Sequence, residues 1–515
     1  MNIVWFKRDL RIFDHAPLVR ATAKKATCAL YVIEREYWKL PDTSIRHWKF
    51  TLDCLRELDD QLRNINIELL IRSGDALSIL QEIHSSHSID GLFSHKETGN
   101  LWQRQRNQKI RVWCNEQGIP WSEDRQFGVI KNLKTRDGWS KKWRSFMYQP
   151  LLKPPQKNSI VQSVFRRPFS KKNLRDHNTY SVSTRQLGGR SNGVKVLESF
   201  LASRSLNYQK NLSSPLTAYE SCSRISPHIA YGSLSLREVV QATKARMEEL
   251  KNENIKANKA WLSSLRSFYA RLHWHCHFMQ KLEDDPQFEI HNVHSAYNGM
   301  RDEEHLDLSL YNAWANGQTG FPFVDACMRA LIHLGWINFR MRAMLQAFAS
   351  YHLWIHWRFS GLHLARLFID YEPGIHWNQA QMQSGTTGIN TLRIYNPVKQ
   401  SMDQDPEGQF IRRWVPELSS IDNNFIHEPW RLTVKQQEIQ QCVIGVKYPK
   451  PVVNHLEAAK HARALIYGKR KNREFDIESQ QIQDKHGSRK SGMPQIKNRG
   501  IKSKRKSIDQ LALDL

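Results

Sequence analysis

Cysteine is scarce in this chain and poorly placed for chemistry. The seven residues Cys28, Cys54, Cys114, Cys222, Cys276, Cys327 and Cys442 are scattered and never spaced C-x-x-C. That argues against a disulfide framework, a zinc knuckle and a clustered iron–sulfur motif, and no metal is expected. Reduced thiols and a cytoplasmic setting are the expectation. No run of eighteen or more apolar residues occurs, so neither a membrane span nor a membrane partner is expected. The opening MNIVWFKRDL reads as a first strand, because no apolar signal-peptide core follows it. No G-x-G-x-x-G follows that strand either, which removes the ordinary dinucleotide fingerprint. Acids are in deficit: 76 Lys and Arg face 50 Asp and Glu, a formal charge of +26. Such an excess attracts polyanions, usually nucleic acid and occasionally anionic membrane.

What is present is apolar mass and clear periodicity. Of the 515 residues 40% are hydrophobic and seventeen are tryptophan, enough for large cores in two to four domains. Residues 1–125 alternate β-rich runs (Asn2–Phe6, Cys28–Ile33, Glu68–Ile71, Gly91–Phe93) with amphipathic stretches at Ile45–Asn64 and Trp102–Gln117. This predicts an α/β domain with a doubly wound parallel sheet. Residues 126–195 are strongly basic: between Lys131 and Arg144 six cations meet one acid, interleaved with Trp139 and Trp143. They read as an interdomain linker, either solvated or contacting phosphates through Lys141, Lys142 and Arg144. From 196 to 465 helical patterns dominate, predicting a large all-α domain. Residues 466–515 are Gln- and Lys-rich and are expected to form a basic, disordered tail.

Three local patterns carry chemistry. In FIDYEPGIHWNQAQMQSG (368–385), Asp370 and Glu372 lead into Pro373-Gly374, which should break a helix and leave a strained loop. In SCSRIS (221–226), hydroxyls before a helix start near Pro227 suit a diphosphate, although Ser226 could equally be a helix cap. In HWHCH (273–277), His273 and His277 share a helix face, which fits either a metal pair or local packing.

The chain is identified as a member of the photolyase/cryptochrome family by five stretches in order. VWFKRDLRIFDHAPL opens it, and SCSRISPHIAYGSLS resembles the family's phosphate-proximal loop. GQTGFPFVDACMRAL with GWINFRMR resembles its flavin-domain core, the 368–385 stretch its flavin-ring loop, and RIYNPVKQS with FIRRWVPEL and HEPW closes the pattern. The resemblance implies an N-terminal antenna domain followed by a helical domain that holds one FAD non-covalently. A second antenna chromophore of open identity is implied too, with Glu97 at a position some members use for a folate. It further implies blue-light-driven electron transfer from reduced FAD to a flipped-out pyrimidine dimer in damaged DNA, by a monomer. The alternative is a cryptochrome-type photoreceptor without repair.

Carried over residue by residue, the resemblance implies FAD contacts at Tyr208, Cys222, Ser223, Arg224, Ile225, Ser226, Arg266, Trp336, Arg340, Arg342, Asp370, Tyr371, Glu372 and His376, with Arg342 paired to Asp370. Trp314 and Trp357 match the outer members of the family's electron-transfer chain. Ala380 stands at the flavin-proximal position, so Trp354, Trp377 or Tyr395 would have to substitute. His376, placed near flavin N5, would respond to pH near neutrality. DNA-side positions are Leu265, Arg266, Phe339, Arg340, Met382 and Gln400. Leu262 and Leu265 replace the usual cavity glutamate and tryptophan, Phe268 persists, and Asn338 and Ala343 replace a histidine pair.

Overall fold

The computed structural model describes residues 1–23, 26–156, 185–253, 255–256 and 258–488. Strands β1 (Asn2–Phe6), β2 (Thr27–Ile33), β3 (Leu69–Ser73), β4 (Gly91–His95) and β5 (Trp121–Asp124) form one parallel sheet in the order β3-β2-β1-β4-β5. Every β1 residue is buried, as expected of a parallel strand covered on both faces. Helices α1 (Ala16–Thr22), α2 (Ile45–Asn64), α3 (Ala76–His87) and α4 (Leu101–Glu116) make the crossovers. The strand order reverses between β1 and β4, so the sheet is doubly wound and its switch point lies there. Strand β5 was not expected from the sequence. Only one of its four residues is buried, which leaves little apolar signal.

One sheet face joins the two parts of the molecule. Val4, Phe6, Leu55 and Leu58 share a core with Trp336 and Ile369 of the helical part. The other face packs Ile3, Trp5, Leu80 and Ile110 with Cys114.

The helical part contains α5 (Trp139–Met147), α6 (Arg190–Ala202), α7 (Leu236–Asn252), α8 (Asn258–Asp284), α9 (Pro322–Leu334), α10 (Phe339–Ala347), α11 (Trp357–Leu367), α12 (Pro373–Ser384), α13 (His455–Lys469) and α14 (Arg473–His486), among shorter turns. A π-helical turn, Phe348–His352, follows α10 where the pattern predicts one continuous helix.

Three sequence expectations give way here. The linker reading fails for α5, which buries Trp139, Trp143, Phe146 and Met147 in a core with Leu197, Phe200 and Phe268. Residues 157–184 of that segment lie outside the described residues. The tail reading fails up to 488: α14 buries Phe475, Ile482 and His486, and the Phe475 ring stacks 4.0 Å from His294. Residues 489–515 lie outside the described residues. The 368–385 stretch is largely helix, because Pro373 takes the first helical position, where its missing N–H costs nothing. Among the described residues no helix is long and apolar enough to cross a membrane.

Candidate functional site

The site is organised by one buried carboxylate. Arg342 of α10 meets Asp370, just before α12, through two parallel bonds: Nη1 donates to Oδ1 at 2.9 Å and Nη2 to Oδ2 at 3.0 Å. Ser226 Oγ donates to the same Oδ2 at 2.6 Å. Arg342 Nε donates to the Ile337 carbonyl at 2.7 Å, and its guanidinium lies 4.3 Å from the Phe368 ring. Burial alone would raise the Asp370 pKa. The Arg342 charge and the donors from Arg342 and Ser226 outweigh it, so the carboxyl sits below its usual value. No side-chain bond caps the short helix at Ser226, so the serine ties two segments together and does not serve as a cap.

Beside it, Arg224 has a left-handed backbone (φ 59°), an uncommon conformation for a side-chain-bearing residue. Its guanidinium sits 4.1 Å from both the Tyr219 and the Trp336 ring. Nη2 donates to Gln186 Oε1 at 3.2 Å, whereas Nε and Nη1 are buried without a protein partner. Buried donors need acceptors, and a cationic pair of them fits a phosphate. Arg204 holds the neighbouring Cys222 and Ser223 carbonyls, which fixes that loop. Ile225 is buried beneath it. Gln379 Oε1, Gln383 Oε1 and Trp377 Nε1 on α12 are also buried without partners. The unpartnered Arg224 nitrogens beside the braced Arg–Asp pair fit the diphosphate of FAD.

The stretch 370–372 divides its side chains. Asp370 turns to Arg342, but Tyr371 Oη donates to Asp42 at 2.6 Å and Glu372 lies 3.6 Å from Arg8. Arg8 makes closer bonds to the carbonyls of Ala230 (2.9 Å) and Tyr371 (2.7 Å). Burial pushes the Glu372 carboxyl up to about 7 against the partial compensation from Arg8. Tyr371 and Glu372 therefore face the α/β domain, contrary to a side-chain role at the cofactor. His376 is corrected as well. Its Nε2–H donates to the Gly361 carbonyl at 2.8 Å, and burial drops its pKa to about 4. The ring is neutral at physiological pH and offers Nδ1 only as an acceptor.

Helix α8 corrects the expected cavity positions. Leu262 and Leu265 are buried with Met247 and Leu250 in a satellite core, which removes Leu265 from any DNA face. Arg266 is exposed. The face meeting α12 begins a turn later. There Arg271 lies 5.8 Å from the Phe339 ring and beside the buried Tyr208 phenol. Trp274 stacks on Phe278 at 5.6 Å, and Asn378 Nδ2 donates to the Phe278 carbonyl. A Cβ on Gly374 would come within 2.9 Å of Met279 Cα, so glycine allows the two helices to touch. The signal for this face was HWHCH. His273 bonds Ser140 at 3.1 Å and His277 packs edge-on to Trp139 and Trp274, so both read as packing residues.

Trp357 and Trp377 are fully buried, with ring centroids 5.8 Å apart at 72°, and Ala380 shares their cluster. Trp354 and Tyr395 pack elsewhere, against Tyr297 and Tyr351. Trp314 is 0% exposed and donates Nε1 to the Leu345 carbonyl, so it is not a solvent-facing end of any chain. Phe339, Arg340, Met382 and Gln400 are half-buried. Asn338 anchors the Leu212 and Ser213 carbonyls, and Ala343 is buried. Lys141, Lys142 and Arg144 are exposed on α5. Glu97 accepts from Gln103 at 2.6 Å and from Arg106, so its carboxylate is already engaged within the domain.

Among the described residues one grouping has metal-like spacing, Asp9, His15 and His95. Its atoms bond each other: His15 Nε2 and His95 Nδ1 meet Asp9 Oδ2 at 2.9 and 2.8 Å, and His15 Nδ1 accepts from the Leu18 N–H. It is a closed buried network.

Comparison with known proteins gives these features a context. Residues 2–131 match the family model described as DNA photolyase, and residues 268–467 the one described as FAD binding domain of DNA photolyase. The deoxyribodipyrimidine photo-lyase of Alkalihalophilus pseudofirmus is 26% identical over 91% of this chain and 98% of its own length. The cryptochrome DASH of Gloeobacter violaceus is 28% identical over 90% of this chain and 95% of its own. The crystal structure of a bacterial class III photolyase from Agrobacterium tumefaciens superposes with a TM-score of 0.79 at 24% identity, covering 91% of this chain and 98% of that one.

Proposed function

Because the chain belongs to the photolyase/cryptochrome family, and FAD is the cofactor of its matched helical domain, we propose that it is a light-driven DNA repair enzyme acting on pyrimidine dimers. The observation that carries the reading is the Arg342–Asp370–Ser226 brace beside the two unpartnered Arg224 nitrogens, set in a molecule with a strongly cationic α5 surface.

When bound, FAD supplies the light absorption and one-electron chemistry that side chains lack. The protein's own residues do the rest. Arg342 and Asp370 fix a charged, donor-rich edge whose geometry needs no rearrangement. The Arg224 nitrogens and the loop at 222–226 take the phosphate charge. Trp274 and Phe278 form an aromatic stack at the junction of α8 and α12, of the kind that receives an unstacked base. Phe339 and Arg271 flank that junction, and Arg340 and Met382 contribute half-buried surface near it. Lys141, Lys142 and Arg144 supply phosphate contacts at the rim. Trp377, touching both Trp357 and His376 and with an unpartnered indole N–H, replaces the aromatic missing at Ala380.

The second reading is a photoreceptor without repair. It is favoured by α14, which lies beyond the matched FAD-binding segment and clamps the 294–295 turn through Phe475 and Glu478. The deciding experiment illuminates reduced protein with oligonucleotides carrying cyclobutane or (6-4) dimers, single- and double-stranded. Restored thymines support repair. Unchanged lesions of both types, with normal FAD content, overturn it in favour of signalling.

A further inference from the structure

Lys281, in the last turn of α8, is buried where a lysine is costly. Its side chain keeps 7% exposure, and its Nζ sits 5.5 Å from the Phe278 ring. Lysines are almost never buried without a partner. Among the described residues, Lys281 has no hydrogen-bond acceptor and no carboxylate within ion-pair distance. The acids that follow it are held by other cations. Glu283 accepts from Arg104 at 3.2 Å. Asp284 pairs with Arg136 at 3.2 Å and accepts from Gln280 at 2.7 Å. Asp285 pairs with Lys485 at 3.0 Å and lies 3.9 Å from His486 Nε2.

The groups that act on the amine are basic. They are Arg136, just ahead of α5, His277, one turn back on α8, and His486, at the end of α14. All three are buried. The His486 ring packs 4.8 Å from Phe288, and its Nδ1 is buried with no partner. Burial lowers both histidines, so they are neutral at physiological pH. Burial, with the Arg136 charge adding to it, also pushes the Lys281 ammonium down to about 7. At pH 7.5 about three-quarters of Lys281 is then free amine, against about 0.1% for a lysine at its ordinary value.

We propose that Lys281 is a carbamylation site, where the side-chain amine reversibly captures carbon dioxide. The amine lone pair forms the C–N bond, one C–O π pair moves onto oxygen, and an N–H proton leaves to water. No oxidant or second substrate is needed. The product is an anion in a basic cluster, with Arg136 and an N–H at His486 Nδ1 as its donors. It would link the end of α8 to α14. Carbon dioxide is small and uncharged, so the slight exposure of Lys281 is enough for entry. The α-amino group of Met1, the other amine suited to this chemistry, is held by Asp90 and the Ser88 carbonyl. The proposal is independent of whether the protein repairs DNA.

The test uses the full-length, FAD-loaded protein, equilibrated at pH 7.5 with carbon-13-labelled bicarbonate. Carbamate is read by NMR, and in parallel it is trapped with triethyloxonium and located by peptide mass spectrometry. Expected are one carbamate resonance per chain and an ethoxycarbonyl group on Lys281, both lost at pH 5.5, where the amine is protonated. Lys281→Arg and Lys281→Met should abolish both signals, with FAD absorbance unchanged. His486→Ala should raise the carbon dioxide needed for half-labelling at least threefold. Absence of label on Lys281 in the wild-type protein overturns the site, and that reading needs no variant to fold. Label spread equally over surface lysines or the Met1 amine, or an undiminished resonance in Lys281→Arg, overturns it too.

Discussion

Asp370→Ala is the most informative single change at the site. It leaves the Arg342 guanidinium buried on Phe368, with only its Nε bond to Ile337 intact, and it removes the acceptor for Ser226. Removing one member of a buried pair costs about 3–5 kcal/mol, mostly as the penalty of the stranded charge. The Arg342 side chain retains 23% exposure, so water can recover part of it, and about 3 kcal/mol is expected. That is a shift of roughly a hundredfold in the folding equilibrium. Asp370→Asn keeps the shape and one acceptor for Ser226 and should lose less, about 1.5–3 kcal/mol for charge-assisted bonds. Arg342→Leu combined with Asp370→Ala removes the stranded charge, so the double variant should be more stable than the sum of its parts predicts. Denaturant unfolding of the FAD-free proteins measures all three, and FAD titration measures the cofactor side. Additivity within about 0.5 kcal/mol would mean no coupling and would refute the brace.

Neutralising Lys141, Lys142 and Arg144 together should reduce the slope of log Kd against log salt for damaged DNA by about 2–3, at roughly 0.9 per phosphate contact. An unchanged slope removes α5 from the interface. The Glu372 carboxyl, raised to about 7 by burial, binds its proton more tightly folded than unfolded. It contributes stability below about pH 4.3 that is lost as pH rises through 7, and Glu372→Gln should flatten that decline in a urea-midpoint series. His376, lowered to about 4 by burial, stays neutral from pH 5.5 to 8.5, so wild type and His376→Asn should show parallel pH profiles of flavin reduction; a midpoint near 6.5 in wild type alone contradicts the Gly361 bond. Gly361→Ala would set a methyl 2.8 Å from the Trp377 ring. It should cost about 1–3 kcal/mol by overpacking and change the tryptophan emission, and an unaltered spectrum would mean the Trp357–Trp377 contact is loose.

Strand and helix periodicity made the architecture legible because buried parallel strands such as β1 are apolar on both faces, and long helices such as α8 repeat their apolar stripe over many turns. Composition misled where a sparse core did the packing. Strand β5 and helix α14 are polar overall, yet Asp124 in one and Phe475 and Ile482 in the other are buried. In α5 the lysines dominate the charge pattern while Trp139 and Trp143 decide the structure. A helix needs only one buried residue per turn, and an average over the segment hides it.

The site divides in the same way. The Arg342–Asp370 pair was legible only through the family resemblance, since two arginines on a helix read by themselves as a solvated face, and the bond from Ser226 to Asp370 was not foreseen. The α8 face was misplaced because a 27-residue helix offers several apolar stripes, and nothing in a stripe says which turn meets which neighbouring helix. Contacts far apart in sequence decide that: Gly374 against Met279, Asn378 on the Phe278 carbonyl, Arg271 near Phe339. They bring the turn at Trp274, and not the one at Leu265, against α12. His376 was misjudged for a related reason. Its chemistry as an isolated side chain is titration near neutrality, but a carbonyl fifteen residues away at Gly361 takes its N–H, and the Phe368, Tyr371 and Trp377 rings packed near it make a charge costly. A residue's capacity is written in its type, and its protonation state is set by neighbours that only the fold assembles.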